Sequence, residues 1–234
     1  IDIKESLIVR NNRFRSMICS DLTCCPPEGS AIPDLGSSRI AAEHVIAGHP
    51  MPFENVDGLV QSIAAVASSF ESVWADEVQA FWVSSDSEEI QELQRDGATA
   101  IIDLVGEYRE GRGAEDRELA ARVIGRLSDI QVRDFALGSH TDESADYYWA
   151  MWRDLLRIAP RGFVAPIACL FAAMAYERGE GALAHKGLDR ALGDDDQYSL
   201  AHLLRRVFTA GWPPQSFSAM RAQLHPKVVA AIFG

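Results

Sequence analysis

Residues 164–192 read VAPIACLFAAMAYERGEGALAHKGLDRAL, and this stretch decides the fold class of the chain. Its first part, residues 164–176, is apolar on every side, which predicts a helix that is buried all round. The run Gly-Glu-Gly at residues 179–181 predicts a tight connection, and the spacing of apolar residues over 182–192 predicts a second helix. The stretch therefore indicates a helical hairpin.

Small residues recur along this predicted hairpin in the pattern of one tetratricopeptide repeat. They are Ala172 and Ala175 on the first helix, and Ala184 and Ala191 on the second. Arrays of such repeats need about three units for stability, and no second clear copy occurs in the sequence. Two interpretations stay open: a helix pair that merely packs, and a concave peptide-binding surface.

Helical spacing of apolar residues extends over most of the chain outside this hairpin. Before it, an amphipathic stripe includes Tyr148, Met151, Trp152 and Leu155, and after it residues 198–210 predict a further helix. Similar but shorter patterns run back to residue 37. We therefore predict a mainly α fold, with an all-α helical domain over residues 37–234.

The first 36 residues have a different pattern. β-branched and aromatic runs at residues 6–10 and 14–18 flank Asn11-Asn12, and asparagine tolerates the positive φ of a tight type I′ turn. This predicts an N-terminal β-hairpin, followed by a Cys/Pro-rich loop over residues 21–36. Unpaired edges of such a hairpin favour self-association, so a homo-oligomer formed through the hairpin is one expectation.

Charge and hydropathy exclude several classes of partner. The 234 residues carry a formal net charge of −12, which phosphate backbones repel, so we expect no nucleic-acid partner. No apolar run approaches the roughly 20 residues that a membrane-spanning helix needs, and no signal peptide opens the chain. We therefore expect no membrane partner, and a cytoplasmic protein whose cysteines are reduced.

Three of the four cysteines fall within seven residues, at Cys19, Cys24 and Cys25. Thiolates bind soft metals, so these residues are the candidate ligands of a zinc ion, which prefers four tetrahedral ligands. Cys19 and Cys24 could reach one ion, which His44 or His49 could complete. Two other interpretations stay open: packing of small residues, and thiol redox chemistry through a Cys19–Cys24 or Cys24–Cys25 disulfide.

Sequence signatures of catalysis are missing, including the P-loop, the dinucleotide fingerprint and the zinc-protease motif. We predict surface or capping roles for the scattered histidines of the C-terminal half, His140, His185, His202 and His225. Within Asp194-Asp195-Asp196, we expect Asp196 to cap the following helix. These observations favour a non-catalytic function.

Aromatic residues at 147–149 suggest a contact surface. Tyr147 and Trp149 cannot both face the same core as Tyr148, so we expect one of them to be exposed where a protein partner binds.

Three groups of motifs together resemble one uncharacterised family. The first group is RFRS at residues 13–16, with Cys19, Asp21 and CCPPEG at 24–29. The second is GEGALA at 179–184, with LDRAL at 188–192 and YSLA at 198–201, and the third is AGWPP at 210–214. The family is called domain of unknown function 4192 and is found in actinobacteria. The resemblance runs from near Ile3 to about Phe217.

The resemblance implies no catalytic residues, because that family has no established activity. Its members usually carry a further N-terminal segment, so we expect this chain to be a C-terminal portion whose hairpin belonged to a larger sheet. The leading hypothesis is a protein-interaction or scaffolding module that uses a helical surface. The alternative is a metal-binding or thiol-redox protein that uses the Cys19, Cys24 and Cys25 loop.

Overall fold

The computed structural model describes residues 6–34, 38–46, 53–66 and 71–234, which contain three short strands and eleven helices. The strands are β1 (Leu7–Arg10), β2 (Arg13–Ser16) and β3 (Ser30–Ala31), and the helices are α1 (Arg39–Ile46), α2 (Val56–Ser62), α3 (Glu71–Gln79), α4 (Ile90–Arg109), α5 (Arg117–Arg126), α6 (Ile130–Gly138), α7 (Ala145–Ile158), α8 (Val164–Glu177), α9 (Gly181–Asp194), α10 (Ser199–Thr209) and α11 (Pro214–Phe233). The predicted class, mainly α with an N-terminal hairpin, is confirmed.

Contacts divide the chain into two units, Ile1–Glu54 and Asn55–Gly234. The first contains the strands and α1, and the second contains α2 to α11. The division of residues 1–36 from 37–234 rests on the change from strands to helices and stays a prediction.

The hairpin of the first unit turns at Asn11-Asn12, as predicted. Both asparagines have positive φ, 50° and 57°, and the flanking residues Arg10 and Arg13 are paired across β1 and β2. This is the geometry of a two-residue type I′ turn. A third strand, β3, pairs antiparallel with β2 and was not predicted, because two residues carry no periodic signal.

An apolar core is nearly absent from the described part of the first unit. All four residues of β1 are exposed, and Ala41 is the one buried hydrophobic side chain among those described in this unit. Units this small seldom bury enough apolar surface to be stable without a metal, a disulfide or a partner. This unit therefore needs another source of stability.

The second unit is organised around α8. Every residue from Val164 to Tyr176 is buried, which confirms the prediction of a helix buried all round. Helices α7 and α9 pack against it, and Trp152 and Phe171 are among the largest fully buried side chains. Tyr176 stacks on Phe208 of α10 with ring centroids 3.9 Å apart. The core therefore surrounds the stretch that decides the fold.

Helices α8 and α9 approach closely because small residues line their contact. Ala184 and Ala191 are fully buried, as predicted, and a Cβ on Gly187 would lie 3.1 Å from the Cβ of Ala172. The pair is thus a close-packed helical hairpin. Its likeness to a tetratricopeptide repeat stays a prediction.

The end of α9 caps the start of α8. The Asp194 carboxylate accepts hydrogen bonds from the backbone N–H groups of Gly162, Val164 and Ala165, at 2.7, 2.9 and 3.1 Å. The expectation that Asp196 caps the next helix is wrong, because Asp195 accepts the hydrogen bond of that turn, from the N–H of Gln197.

Among the described helices, none is long and apolar enough to cross a membrane.

Candidate functional site

The loop between β2 and β3 brings three thiols together. The Sγ atoms of Cys19, Cys24 and Cys25 all lie within 4.8 Å of one another, and those of Cys24 and Cys25 are 4.0 Å apart. The predicted ligands thus meet in one place. The side chain of His44 and the whole of His49, the histidines considered as a further ligand, lie outside the described residues.

Cys19 is positioned by a turn that Ser16 holds at the end of β2. The Ser16 hydroxyl is buried and accepts hydrogen bonds from the backbone N–H groups of Ile18 and Cys19, at 3.2 and 2.9 Å. Serine commonly closes a turn in this way, by offering its side-chain oxygen to the following N–H groups. The turn therefore fixes the backbone of Cys19 three residues after the end of β2.

Cys24 and Cys25 are positioned by a second turn, which Asp21 holds. Its carboxylate accepts from the N–H of Thr23 at 2.8 Å and of Cys24 at 3.4 Å, and its carbonyl accepts from the N–H of Cys25 at 2.7 Å. Three bonds to one residue fix a single turn of helix-like backbone. Two turns held by side chains therefore bring the sulfurs together.

The loop is fastened to β2 beyond the cysteines. The Nε of Arg13 donates to the carbonyls of Glu28 and Gly29, each at 2.9 Å. Gly29 has φ +76°, and a Cβ there would lie 2.9 Å from the carbonyl oxygen of Phe14. Only glycine suits this position, since a side chain would be strained and would meet backbone. The loop is thus held at both ends.

Proximity raises the pKa of the Cys24 thiol above its ordinary value. The hydrogen bond with Cys25 is the largest cause, followed by the charges of Cys25 and Cys19, which disfavour a further thiolate beside them. Cys24 is exposed and the other two are partly exposed, and none of the four cysteines, all of which are described, forms a disulfide. A cation bound among the sulfurs would reverse this effect by stabilising the thiolates.

The sulfur positions fit a thiolate metal site closely. Zinc–sulfur bonds of about 2.3 Å in a tetrahedral site put the sulfurs roughly 3.8 Å apart. The Cys24–Cys25 separation of 4.0 Å is already near this value, and the widest separation, at most 4.8 Å, needs a closure of about 1 Å. Rotation of exposed side chains supplies such a movement without a change of fold.

The fourth cysteine has a different environment. Cys169 lies on α8 in the second unit and is fully buried, and burial raises the pKa of its thiol to about 12. A thiol so enclosed packs as a small apolar side chain, which makes Cys169 a suitable control for the three clustered thiols.

A buried charged cluster in the second unit was missed by sequence analysis. Glu177, at the end of α8, lies 2.9 Å from the His140 ring and accepts from the Nε of Arg221 at 2.8 Å. Burial would raise the pKa of Glu177, but hydrogen bonds from His140 and Arg221 outweigh it and lower that pKa. The surface or capping role predicted for His140 is wrong, because its ring is buried.

The predicted contact residues Tyr147 and Trp149 are both partly buried, and both pack against the core. Trp149 lies against Phe171, with ring centroids 4.8 Å apart, and the Arg178 guanidinium lies 4.7 Å from its ring centroid. An interaction role for these two residues stays a prediction.

Comparison with known proteins assigns the family. A search of curated proteins and a search of solved structures each found no match. The family described as Domain of unknown function (DUF4192) matches residues 1–215, which include all three clustered cysteines, His140 and Glu177. Because the match covers most of the 234 residues, the chain belongs to the DUF4192 family.

Proposed function

We propose that this chain binds a zinc ion through the thiolates of Cys19, Cys24 and Cys25. The observation that carries the proposal is the approach of all three sulfur atoms to within 4.8 Å of one another. Three thiolates are soft ligands, which select zinc over the hard cations magnesium and calcium. A water molecule or one further side chain completes a four-coordinate site.

The poor core of the first unit supports the same proposal. Its strands have four, four and two residues, and the apolar side chains of β1 are exposed. A zinc ion that joins the turns of Ser16 and Asp21 would stabilise such a unit directly, because metal binding and folding are coupled where the apolar core is small. The ion's role is therefore structural, and reduced thiols fit the cytoplasmic location that we propose.

Oxidation is the competing use of the same thiols. Adjacent residues such as Cys24 and Cys25 have Cα atoms about 3.8 Å apart, which is shorter than the usual range of about 4.4–6.8 Å in disulfides. A disulfide with Cys19 would be less strained, but it would leave a single thiol of the three. Metal binding is the use that engages all three sulfurs at once.

The test is metal content together with a free-thiol count, on protein purified without a chelating tag. We expect about one zinc per chain, with three thiols that react slowly until a chelator removes the ion. Cys19→Ser and Cys24→Ser should each lose most of the zinc, whereas Cys169→Ala should keep it. Metal-free protein that gains no zinc on titration at neutral pH would refute the proposal, and recovery of a disulfide within the cluster would support oxidation instead.

A second candidate function is self-association through β1. This strand forms one edge of the sheet order β1-β2-β3, and Leu7, Ile8 and Val9 are 47–61% exposed. An apolar edge strand is a template for pairing with another strand, and the second copy of this chain supplies an identical one. We expect a dimer by light scattering that Val9→Lys converts to a monomer. A wild-type monomer at high concentration would refute this second candidate.

A further inference from the structure

One buried arginine of helix α11 bonds to both α6 and α8. The side chain of Arg221 is 7% exposed, and its Nε and Nη2 donate to the two carboxylate oxygens of Glu177 at 2.8 and 3.3 Å. Its Nη1 donates to the carbonyls of Gly138 and His140, at 3.0 and 3.2 Å. A single side chain thus joins α11 to the end of α6, the following turn and the end of α8.

One helical turn further on, the ring of His225 packs against α6. Its ring centroid lies 5.4 Å from that of Phe135, and a Cβ on Gly138 would lie only 2.3 Å from its Nδ1. This nitrogen is buried and has no hydrogen-bond partner within the described part of the chain. Burial, and then the positive charges of Arg221 and His140, lower the pKa of His225.

The elements around α11 offer little negative charge to a protonated His225. Helix α6 contributes Phe135 and Gly138, neither of which titrates, and α4 contributes Arg95, a further cation that donates to the carbonyl of Ile232. Helix α8 contributes Glu177, which already accepts from His140 and Arg221.

The charge count of this cluster changes in acid. Asp142 lies with His140 on the wall of the adjacent cleft but is exposed to water. Arg221 and Glu177 carry one charge each, and a proton on His225 adds a second cation beside Arg221.

We propose that the part of α11 from Arg221 to Phe233 is a pH-sensitive latch, which mildly acidic solution releases from α6 and α8. Pro226 makes a local release possible, because it has no N–H group to continue the helical hydrogen bonds. Phe217, which is fully buried against Tyr176 and Phe208, keeps the first half of α11 in place. The cleft of about 470 Å³ between α8 and α11 is lined on its α11 side mainly by the first half of that helix, so most of its wall stays in place when the latch opens.

The direction of the pH dependence follows from proton linkage. Folding lowers the pKa of His225, so the released state binds more protons, and the latch weakens as pH falls below about 6.5, the value of an unperturbed histidine. The Glu177 contribution has a separate range, because its lowered pKa places its loss below about 4.5. A comparison of pH 7.5 with pH 5.5 therefore keeps the contribution of Glu177 out of the measurement.

The test is hydrogen exchange measured by mass spectrometry at pH 7.5 and pH 5.5, with correction for intrinsic exchange rates. We expect peptides from 221–233 and 130–138 to lose protection at pH 5.5 by up to about tenfold, the limit for one histidine of ordinary pKa that binds its proton only in the released state. Peptides from α8 should keep their protection. Equal protection of 221–233 at the two pH values would overturn the proposal.

Matched histidine variants identify the titrating group. His225→Gln should lose most of the pH response, whereas His202→Gln, which changes an exposed histidine of α10, should keep it. Each variant is compared with itself at the two pH values, so a general loss of stability does not affect the result. An unchanged response in His225→Gln would overturn the latch. If that variant does not fold, NMR titration of the wild-type imidazole decides, and a pKa of 6.5 or above for His225 would equally overturn it.

Discussion

Asp194→Ala is expected to destabilise the second unit by about 3 kcal/mol. Loss of a helix cap alone lowers the free energy of unfolding by about 1 kcal/mol. The variant also leaves the N–H groups of Val164 and Ala165 without an acceptor, and these residues are 8% and 2% exposed. Each buried donor without a partner costs roughly 1–3 kcal/mol, and the lower value for each of the two donors, added to the loss of the cap, gives the total of about 3 kcal/mol. Water can replace the bond to the exposed Gly162.

The assay is urea unfolding of Asp194→Ala and Asp195→Ala in parallel, followed by circular dichroism. The neighbouring variant is the matched control, because Asp195 is exposed and its carboxylate accepts one local bond, from Gln197. We expect the control to lose under about 1 kcal/mol, and the m value to stay constant in both variants. Thermal unfolding should show a lower Tm for Asp194→Ala, by roughly 6–12 °C.

The reasoning would be refuted if the two variants lost equal stability. That result would mean that solvent replaces the Asp194 carboxylate at the start of α8. Asp194→Asn separates charge from hydrogen bonding, because it keeps an acceptor oxygen and should recover about half of the loss.

Zinc affinity should rise with pH between pH 6.5 and 8, because the thiol of Cys24 has a raised pKa and must lose its proton to bind. Chelator competition measures this affinity, and a constant value over that range would contradict the prediction. Gly138→Ala should release α11 at neutral pH, because the added Cβ displaces the imidazole of His225. Gly193→Ala is the control: its Cβ meets open space, so in urea unfolding it should be neutral or stabilising by up to about 1 kcal/mol. Glu177→Gln should cost about 3 kcal/mol in the same assay, since it leaves the charge of Arg221 buried without a carboxylate; a loss below about 1 kcal/mol would show that the ion pair is replaceable.

Local sequence patterns were sufficient to predict much of the fold. The Asn11-Asn12 turn was predictable because two asparagines with positive φ are a local requirement of the tight hairpin. The burial of α8 was predictable because an apolar residue at every position leaves no face for water. In both cases the sequence pattern that predicts the structure lies within a single element.

Other features depend on residues that are distant in sequence. The acidic turn at residues 194–196 suggested that Asp196 caps the following helix, but it is Asp194 that caps a helix, and that helix begins 30 residues earlier. His140 and Arg221 lie 37 and 44 residues from Glu177, so no motif could show that they meet. The cysteine loop is intermediate: the spacing suggested a shared ion, but the convergence of all three sulfurs depends on turns that Ser16 and Asp21 hold.

Burial of Cys169 provides the protein with an internal reporter of core opening. Its thiol is fully enclosed and its pKa is raised to about 12, so an alkylating reagent can reach it only when α8 loses its cover. In the variant Cys19→Ser/Cys24→Ser/Cys25→Ser, this would be the single remaining thiol. The rate at which it is alkylated would then give the free energy of core opening under native conditions, without denaturant and without an introduced cysteine.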